Sequence, residues 1–217
     1  MNNAVPKPHI PESFFEHRQV FAEPWVERWG IPNPFISALF PLLRDAGAEL
    51  TDYSFNNSAA NVGETYLNIA VRKFNAGVRI GLDTVTFLAG NPYWEMAPHL
   101  IALFDRVSST VHDLVGHPSK YQEATLAFHV TPGPADFKSM TARFVNVDLL
   151  GECLFYGASL HRDDSVLIID KSLRHEGAAF VRLQRTFPGN VLFAEIASRL
   201  YQDEVAALRL LGIAEVP

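Results

Sequence analysis

The stretch Thr65-Tyr66-Leu67-Asn68-Ile69-Ala70-Val71-Arg72 carries the strongest local pattern in the chain. Apolar side chains alternate with mixed ones, the period-two signature of a strand with one buried face. Asn75-Ala76-Gly77 follows as a turn in which Gly77 supplies a positive φ, and Val78 to Leu88 reads as the return strand through Ile80 and Leu82. Gly81 inside that strand marks a bulge or the close approach of another element. After the hairpin the period changes. Asn91 reads as a helix cap with Pro92 at the first helical position. Leu100, Leu103, Phe104, Val107, Val111 and Leu114 then keep helical spacing until Gly116 stops them.

Upstream, the pattern predicts a helix from Phe35 to Ala46, ended by Gly47 and kinked or divided at Pro41, then a strand-like stretch from Glu49 to Asn56 and a polar turn at 57–61. Downstream it predicts strands at Tyr121–Thr131, Cys153–Leu160, Ser165–Asp170 and Ala178–Phe187. A short helix around Ala135 to Ala142 and a final helix from Val191 to Leu211 complete the order. Glu204 projects into the apolar stripe of that last helix, so the helix is expected to bend there or to meet a basic partner.

Strands followed by long helices in this order make an α+β protein. A short helix, three strands and a long helix occur twice, about 100 residues apart by the roughly domain-sized spacing of such units. Thr86-Phe87-Leu88-Ala89-Gly90-Asn91 stands before the first long helix and Thr186-Phe187-Pro188-Gly189-Asn190 before the last. Val78-Arg79-Ile80-Gly81-Leu82 lies opposite Phe180-Val181-Arg182-Leu183-Gln184. The expected organisation is therefore two similar halves, 35–131 and 132–217, each an antiparallel sheet with its long helix on one face. An aromatic, Pro-rich arm at 1–34 precedes them, and its aromatics either pack across the chain's own domain, the usual home of such side chains, or dock on a partner.

The hairpin, the Asn-Pro-Tyr-Trp-Glu entry at 91–95, the strand Ala124 to Val130 and the second βββα half resemble a sporadically distributed bacterial family of uncharacterised proteins. The resemblance spans about residues 64 to 211 of the chain. It implies a bacterial source and a duplicated α+β fold, and it assigns no functional residue.

Composition narrows the function classes. The chain has 217 residues, 48% hydrophobic and 19% charged, with 16 Phe and 3 Trp to fill a core. A net charge of −6 argues against nucleic-acid binding, which needs a basic face. Cys153 is the single cysteine, so an internal disulfide and a cysteine-based zinc cluster are ruled out. It reads as a core thiol. The Pro-rich start lacks the apolar segment of a signal peptide, and no apolar run approaches a membrane span, so a cytoplasmic location is expected.

Chemistry-bearing motifs are sparse. None of the histidines forms a His-x₃-His or His-Glu-x-x-His pair, so no metal site is expected on spacing grounds. No cofactor is expected either, because glycine-rich phosphate loops are absent. The Gly90-Asn91 and Gly189-Asn190 helix starts read as ordinary caps. Asp105, Ser109 and His112 share one side of a helix, but a nucleophilic serine needs a strained turn or an oxyanion hole. His161-Arg162-Asp163-Asp164 reads as a hairpin turn, and His175-Glu176-Gly177 as the next connection at the far end of a strand.

Two readings of function remain. The first is a non-catalytic binding or assembly protein that self-associates through the arm aromatics Phe14, Phe15, Phe21, Trp25 and Trp29. Removal of the arm is then expected to leave a folded core. The second is a small-molecule-binding protein or enzyme using an open sheet face that carries Tyr66, Asn68, Arg72, Asp83, His129 and Arg182. In that reading Arg72 anchors an anionic group and Asp83 or His129 accepts a proton.

Overall fold

The computed structural model describes residues 9–25, 32–56, 62–92, 94–131 and 157–213. It is an α+β structure, with nine strands and three α-helices among the described residues. The strands are β1 (His9–Phe21), β2 (Tyr53–Asn56), β3 (Tyr66–Val71), β4 (Ala76–Ile80), β5 (Thr84–Gly90), β6 (Ser119–Thr131), β7 (Gly157–Arg162), β8 (Ser165–Lys171) and β9 (Ala179–Pro188). The helices are α1 (Asn33–Asp45), α2 (Ala97–Val115) and α3 (Phe193–Leu210). Two compact units divide the chain: a larger one of Phe14–Ala124 with Thr186–Ala197, and a smaller one of Met1–Ser13, Thr125–Arg185 and Ser198–Pro217.

In the larger unit the strands lie in the order β2-β3-β4-β5-β1-β6, of which β6 supplies its first residues. The alternation in β3 does what its pattern requires. Leu67, Ile69 and Val71 are buried while Tyr66, Asn68 and Ala70 take the other face. In register with them, Val78 and Ile80 of β4 and Val85, Phe87 and Ala89 of β5 complete the buried face. The stripe Leu100, Leu103, Phe104, Val107 and Val111 of α2 packs in the same core with Leu39 and Leu43 of α1. Gly116 ends α2 in the left-handed conformation that glycine adopts without strain.

The smaller unit has its own core. Leu126, Phe128 and Val130 of β6 join Ile169 of β8, Val181 and Leu183 of β9, and Ala207, Leu208 and Leu211. Here β8 pairs antiparallel with both β7 and β9, and the predicted hairpin turn falls between Arg162 and Ser165.

Several local expectations are corrected. The return strand of 78–88 is two strands, because the chain turns at Gly81-Leu82-Asp83, where Gly81 N donates to Thr84 O at 2.8 Å. Leu82 continued the alternation and so hid the turn. The left-handed residue of the first turn is Asn75, at φ 46°, whose side chain donates to Gly90 O. Asn91 has φ 46° and sits in a bend, and α2 starts later, at Ala97, with Pro98 in its first turn. Pro41 lies inside a continuous α1. Cys153, the predicted helix at 135–142 and Trp29 lie outside the described residues.

The largest correction concerns the segment 1–34. Among its described residues His9–Phe21 form β1, and Phe14 to Val20 pair with Thr84 to Gly90 of β5, so this part is a strand rather than an arm. Phe21 N donates to Asp83 O at 2.9 Å and Trp25 N to Leu82 O at 3.1 Å. Both aromatic rings are buried in the larger core. Deleting residues 1–34 is therefore expected to abolish cooperative unfolding, because a central strand and two core aromatics leave together, each such aromatic contributing about 3–5 kcal/mol. A circular-dichroism melt checks this, and a sharp transition in the truncated chain would contradict it.

Candidate functional site

Within the larger unit, a polar cluster interrupts an otherwise apolar face. His17 and Gln19 of β1 point inward at the positions where Phe15 and Phe21 supply apolar contacts, and Gln122 of β6 does the same ahead of Ala124. All three are buried. Buried polar groups persist only when their hydrogen bonds are made, so their partners define the site.

Gln122 fixes the pattern. Its Nε2 faces the carbonyl oxygens of Pro188, Gly189 and Val191 at 3.3, 3.0 and 2.7 Å. Carbonyls only accept, so the amide nitrogen must lie on that side and Oε1 on the other. Oε1 then accepts from Gln19 Nε2 at 3.2 Å and from His17 Nε2 at 2.9 Å. Gln19 Oε1 in turn accepts from Ser108 Oγ of α2 at 2.9 Å.

One group is left over. Because His17 donates from Nε2, its Nδ1 carries a lone pair, and that buried atom has no hydrogen-bond partner among the described residues. Burial lowers the His17 pKa to about 4, with the Gln122 hydrogen bond opposing the shift, so the ring is neutral at pH 7. The imidazole stacks on Phe87, centroids 5.7 Å apart, and meets the edge of Phe193 at 4.9 Å.

Next to this network lies a cavity of about 420 Å³. Its wall includes His17, Gln19, Asp105, Ser108, Ser109, His112, Asp113 and Asn190, with Phe87, Phe104 and Phe193 as apolar surface. The helix-side trio Asp105, Ser109 and His112 is thus placed on one cavity. Burial raises the Asp105 pKa, and a hydrogen bond to the Phe193 backbone opposes the rise. None of the described wall residues is Lys or Arg. His17 has no surface open to solvent, so a ligand reaches Nδ1 only when a neighbouring side chain moves aside.

Gly189 is required here for space rather than for capping. A Cβ on it would stand 1.8 Å from Ser119 O, so only glycine lets the 188–191 segment close on Gln122. Gly189, Gln122 and His17 were not singled out as site residues by any motif; the one available signal was a polar residue at an inward position of an alternating strand.

The residues expected to share one open sheet face do not gather. Tyr66 and Asn68 do lie on the face away from the larger core, where Arg79, paired with Asn68, stacks over the Tyr66 ring. Arg72 leaves the strand in a 3₁₀ turn, and its Nε donates to Asp52 Oδ1 at 2.5 Å. Asp83 sits in the β4–β5 turn. His129 and Arg182 belong to the smaller unit, where Arg182 is exposed and donates to Gln184. Of the arm aromatics, Phe14 is 41% exposed, while Phe21 and Trp25 have no surface to offer a partner.

Glu204 of α3 is buried in the smaller unit, with Oε2 unpartnered among the described residues, and burial raises its pKa to about 7. The two buried groups oppose each other in acid. His17, depressed when folded, contributes stability above pH 6.5 that is lost as pH falls toward 4, about 3 kcal/mol at most. Glu204, raised when folded, contributes stability below pH 4.5 that is lost as pH rises toward 7. Urea unfolding at each pH is expected to show wild type losing ground to His17→Gln on acidification and gaining on Glu204→Gln. A flat difference for either variant contradicts its assignment.

No family model matches the chain, and no curated protein does. Among solved structures it is similar to Methanococcus jannaschii TBP at 13% identity and a TM-score of 0.31, over 93% of this chain and 99% of that one. A likeness at that score carries no argument about fold or function.

Proposed function

We propose that the chain is a small-molecule-binding protein whose ligand occupies the cavity beside His17 and donates a hydrogen bond to His17 Nδ1. The observation that carries this reading is the orphaned lone pair. A buried acceptor without a partner costs about 1–3 kcal/mol, and a donor brought by a ligand recovers it. The chemistry of the wall narrows the ligand further. Nδ1 and the carboxylates of Asp105 and Asp113 accept, and no described wall residue offers a fixed cation. An anion is therefore disfavoured, and a neutral or cationic molecule with O–H or N–H donors, an alcohol or amine, is favoured. The cavity volume falls in the range that holds such molecules.

This reading keeps the small-molecule expectation but moves it from the open sheet face to the helix side of the sheet. Self-association loses its chief support, since Phe21 and Trp25 lie in the chain's own core.

Thermal unfolding against a panel of polyols, amines and carboxylates tests the reading. At a hundredfold excess over Kd a ligand stabilises by about 2.7 kcal/mol, which raises Tm by roughly 5–11 °C in a chain of this size. Alcohols or amines are expected to produce that rise, and His17→Phe, which keeps the ring and removes the acceptor, to erase it. Equal shifts from carboxylates, or shifts that survive His17→Phe, overturn the proposal. No shift with any donor of the panel likewise counts against the proposal.

A further inference from the structure

The smaller unit assembles a second group of chemistry-bearing side chains, independent of the cavity. Glu12 on β1, His129 on β6 and His175 in the connection between β8 and β9 place a carboxylate oxygen and two imidazole nitrogens within 4.8 Å of one another. Glu12 Oε2 stands 3.2 Å from His175 Nε2 and 4.0 Å from His129 Nε2. The two rings meet at an angle of 66° with centroids 4.9 Å apart, so their nitrogens converge on the carboxylate.

Each donor is positioned by its surroundings. Ser172, buried at the end of β8, accepts the backbone N–H groups of Arg174 and His175 at 3.1 and 2.8 Å, which fixes the turn that presents His175. The same Ser172 Oγ lies 2.9 Å from His129 Nδ1. A ligating histidine is commonly held this way, its outer nitrogen bonded to a neighbour while the other faces the ion. Arg174 pairs with Glu12 Oε1 and leaves Oε2 toward the histidines. His129 is nearly buried, whereas His175 and Glu12 are 35% and 38% exposed, so the group has a rigid wall and an open entrance.

We propose that Glu12, His129 and His175 bind a divalent transition-metal ion, with Zn²⁺ the best fit, and leave at least one coordination position to water or a ligand. Two imidazoles and a carboxylate suit such ions, whereas calcium and magnesium take oxygen donors. Around an ion with bonds of about 2.0–2.2 Å, tetrahedral donors sit roughly 3.3–3.6 Å apart. Glu12 and His175 are already near that separation, and the remaining approach is on the order of an ångström, within side-chain rotation. The competing account is an ion-paired cluster of Glu12, Arg174 and His175 with no ion.

Titration of the full-length, chelator-treated chain with Zn²⁺ by calorimetry, and with Co²⁺ by visible absorption, separates the two. One equivalent is expected to bind with proton release, and millimolar-scale Ca²⁺ or Mg²⁺ is not expected to compete. His175→Ala and Glu12→Gln are each expected to weaken binding by about tenfold or more. Arg174→Ala, which removes a cation from Glu12, is expected to tighten it, and His161→Ala to leave it unchanged. Both ligand variants sit at partly exposed positions, and if one fails to fold the other carries the test. Absence of stoichiometric binding, or binding that survives either folded ligand variant, overturns the proposal in favour of the ion-paired cluster.

Discussion

The interior of the larger unit depends on the orientation of one amide. Gln122 is buried with its Nε2 among three backbone carbonyls, and no other arrangement of that side chain leaves those contacts satisfied. From this follow the acceptor role of Oε1, the donor role of His17 Nε2 and a buried, unpartnered lone pair at Nδ1. The network gathers β1, β6, α2 and the segment ahead of α3, four stretches that share no local sequence relation. The hydrogen bonds made within this network specify one packing, and the unpartnered His17 Nδ1 is its cost. Gly189 belongs to the same constraint, since any side chain there would collide with the Ser119 backbone.

Both units bury a titratable group whose charged form is disfavoured. In the larger unit burial makes His17 a neutral base at pH 7, and in the smaller it raises the Glu204 pKa to about 7. In each, desolvation of the charged form is the dominant cause, as expected where no opposite charge compensates. The Glu12 cluster behaves in the opposite sense. There a carboxylate stays ionised because His175 and Arg174 face it, and the group remains partly open to solvent. The molecule thus contains one site defined by a missing hydrogen-bond donor and another defined by converging donor atoms. The first is the site proposed for an organic ligand and the second the site proposed for an ion.

Much of the fold was legible from local pattern. The alternation through β3, the helical stripe of α2 with its Gly116 stop, and the strands around Ser165 and Ala179 lie where periodicity puts them. Burial of one face imposes that periodicity, so it is written residue by residue. The misread points share a cause: Leu82 kept the alternation through a turn, and Asn rather than Gly took the left-handed positions at 75 and 91. The Pro-rich context of Phe21 and Trp25 disguised the end of a strand as an arm.

The candidate sites were not legible in this way, and the reason is physical. Glu12 and His175 are 163 residues apart, and His17 and Gln122 are 105 apart, so no spacing rule relates them. Spacing reports only what one helix or one strand presents on a face. By itself the sequence determined the α+β class, most elements, and the absence of any local catalytic motif. Tertiary structure alone decided that strand pairing carries the first strand into the sheet, that Gln122 dictates which ring nitrogen of His17 carries the proton, and that two histidines meet a glutamate. Those outcomes depend on which strands become neighbours, and that choice is made by the packing of the whole chain rather than by any segment of it.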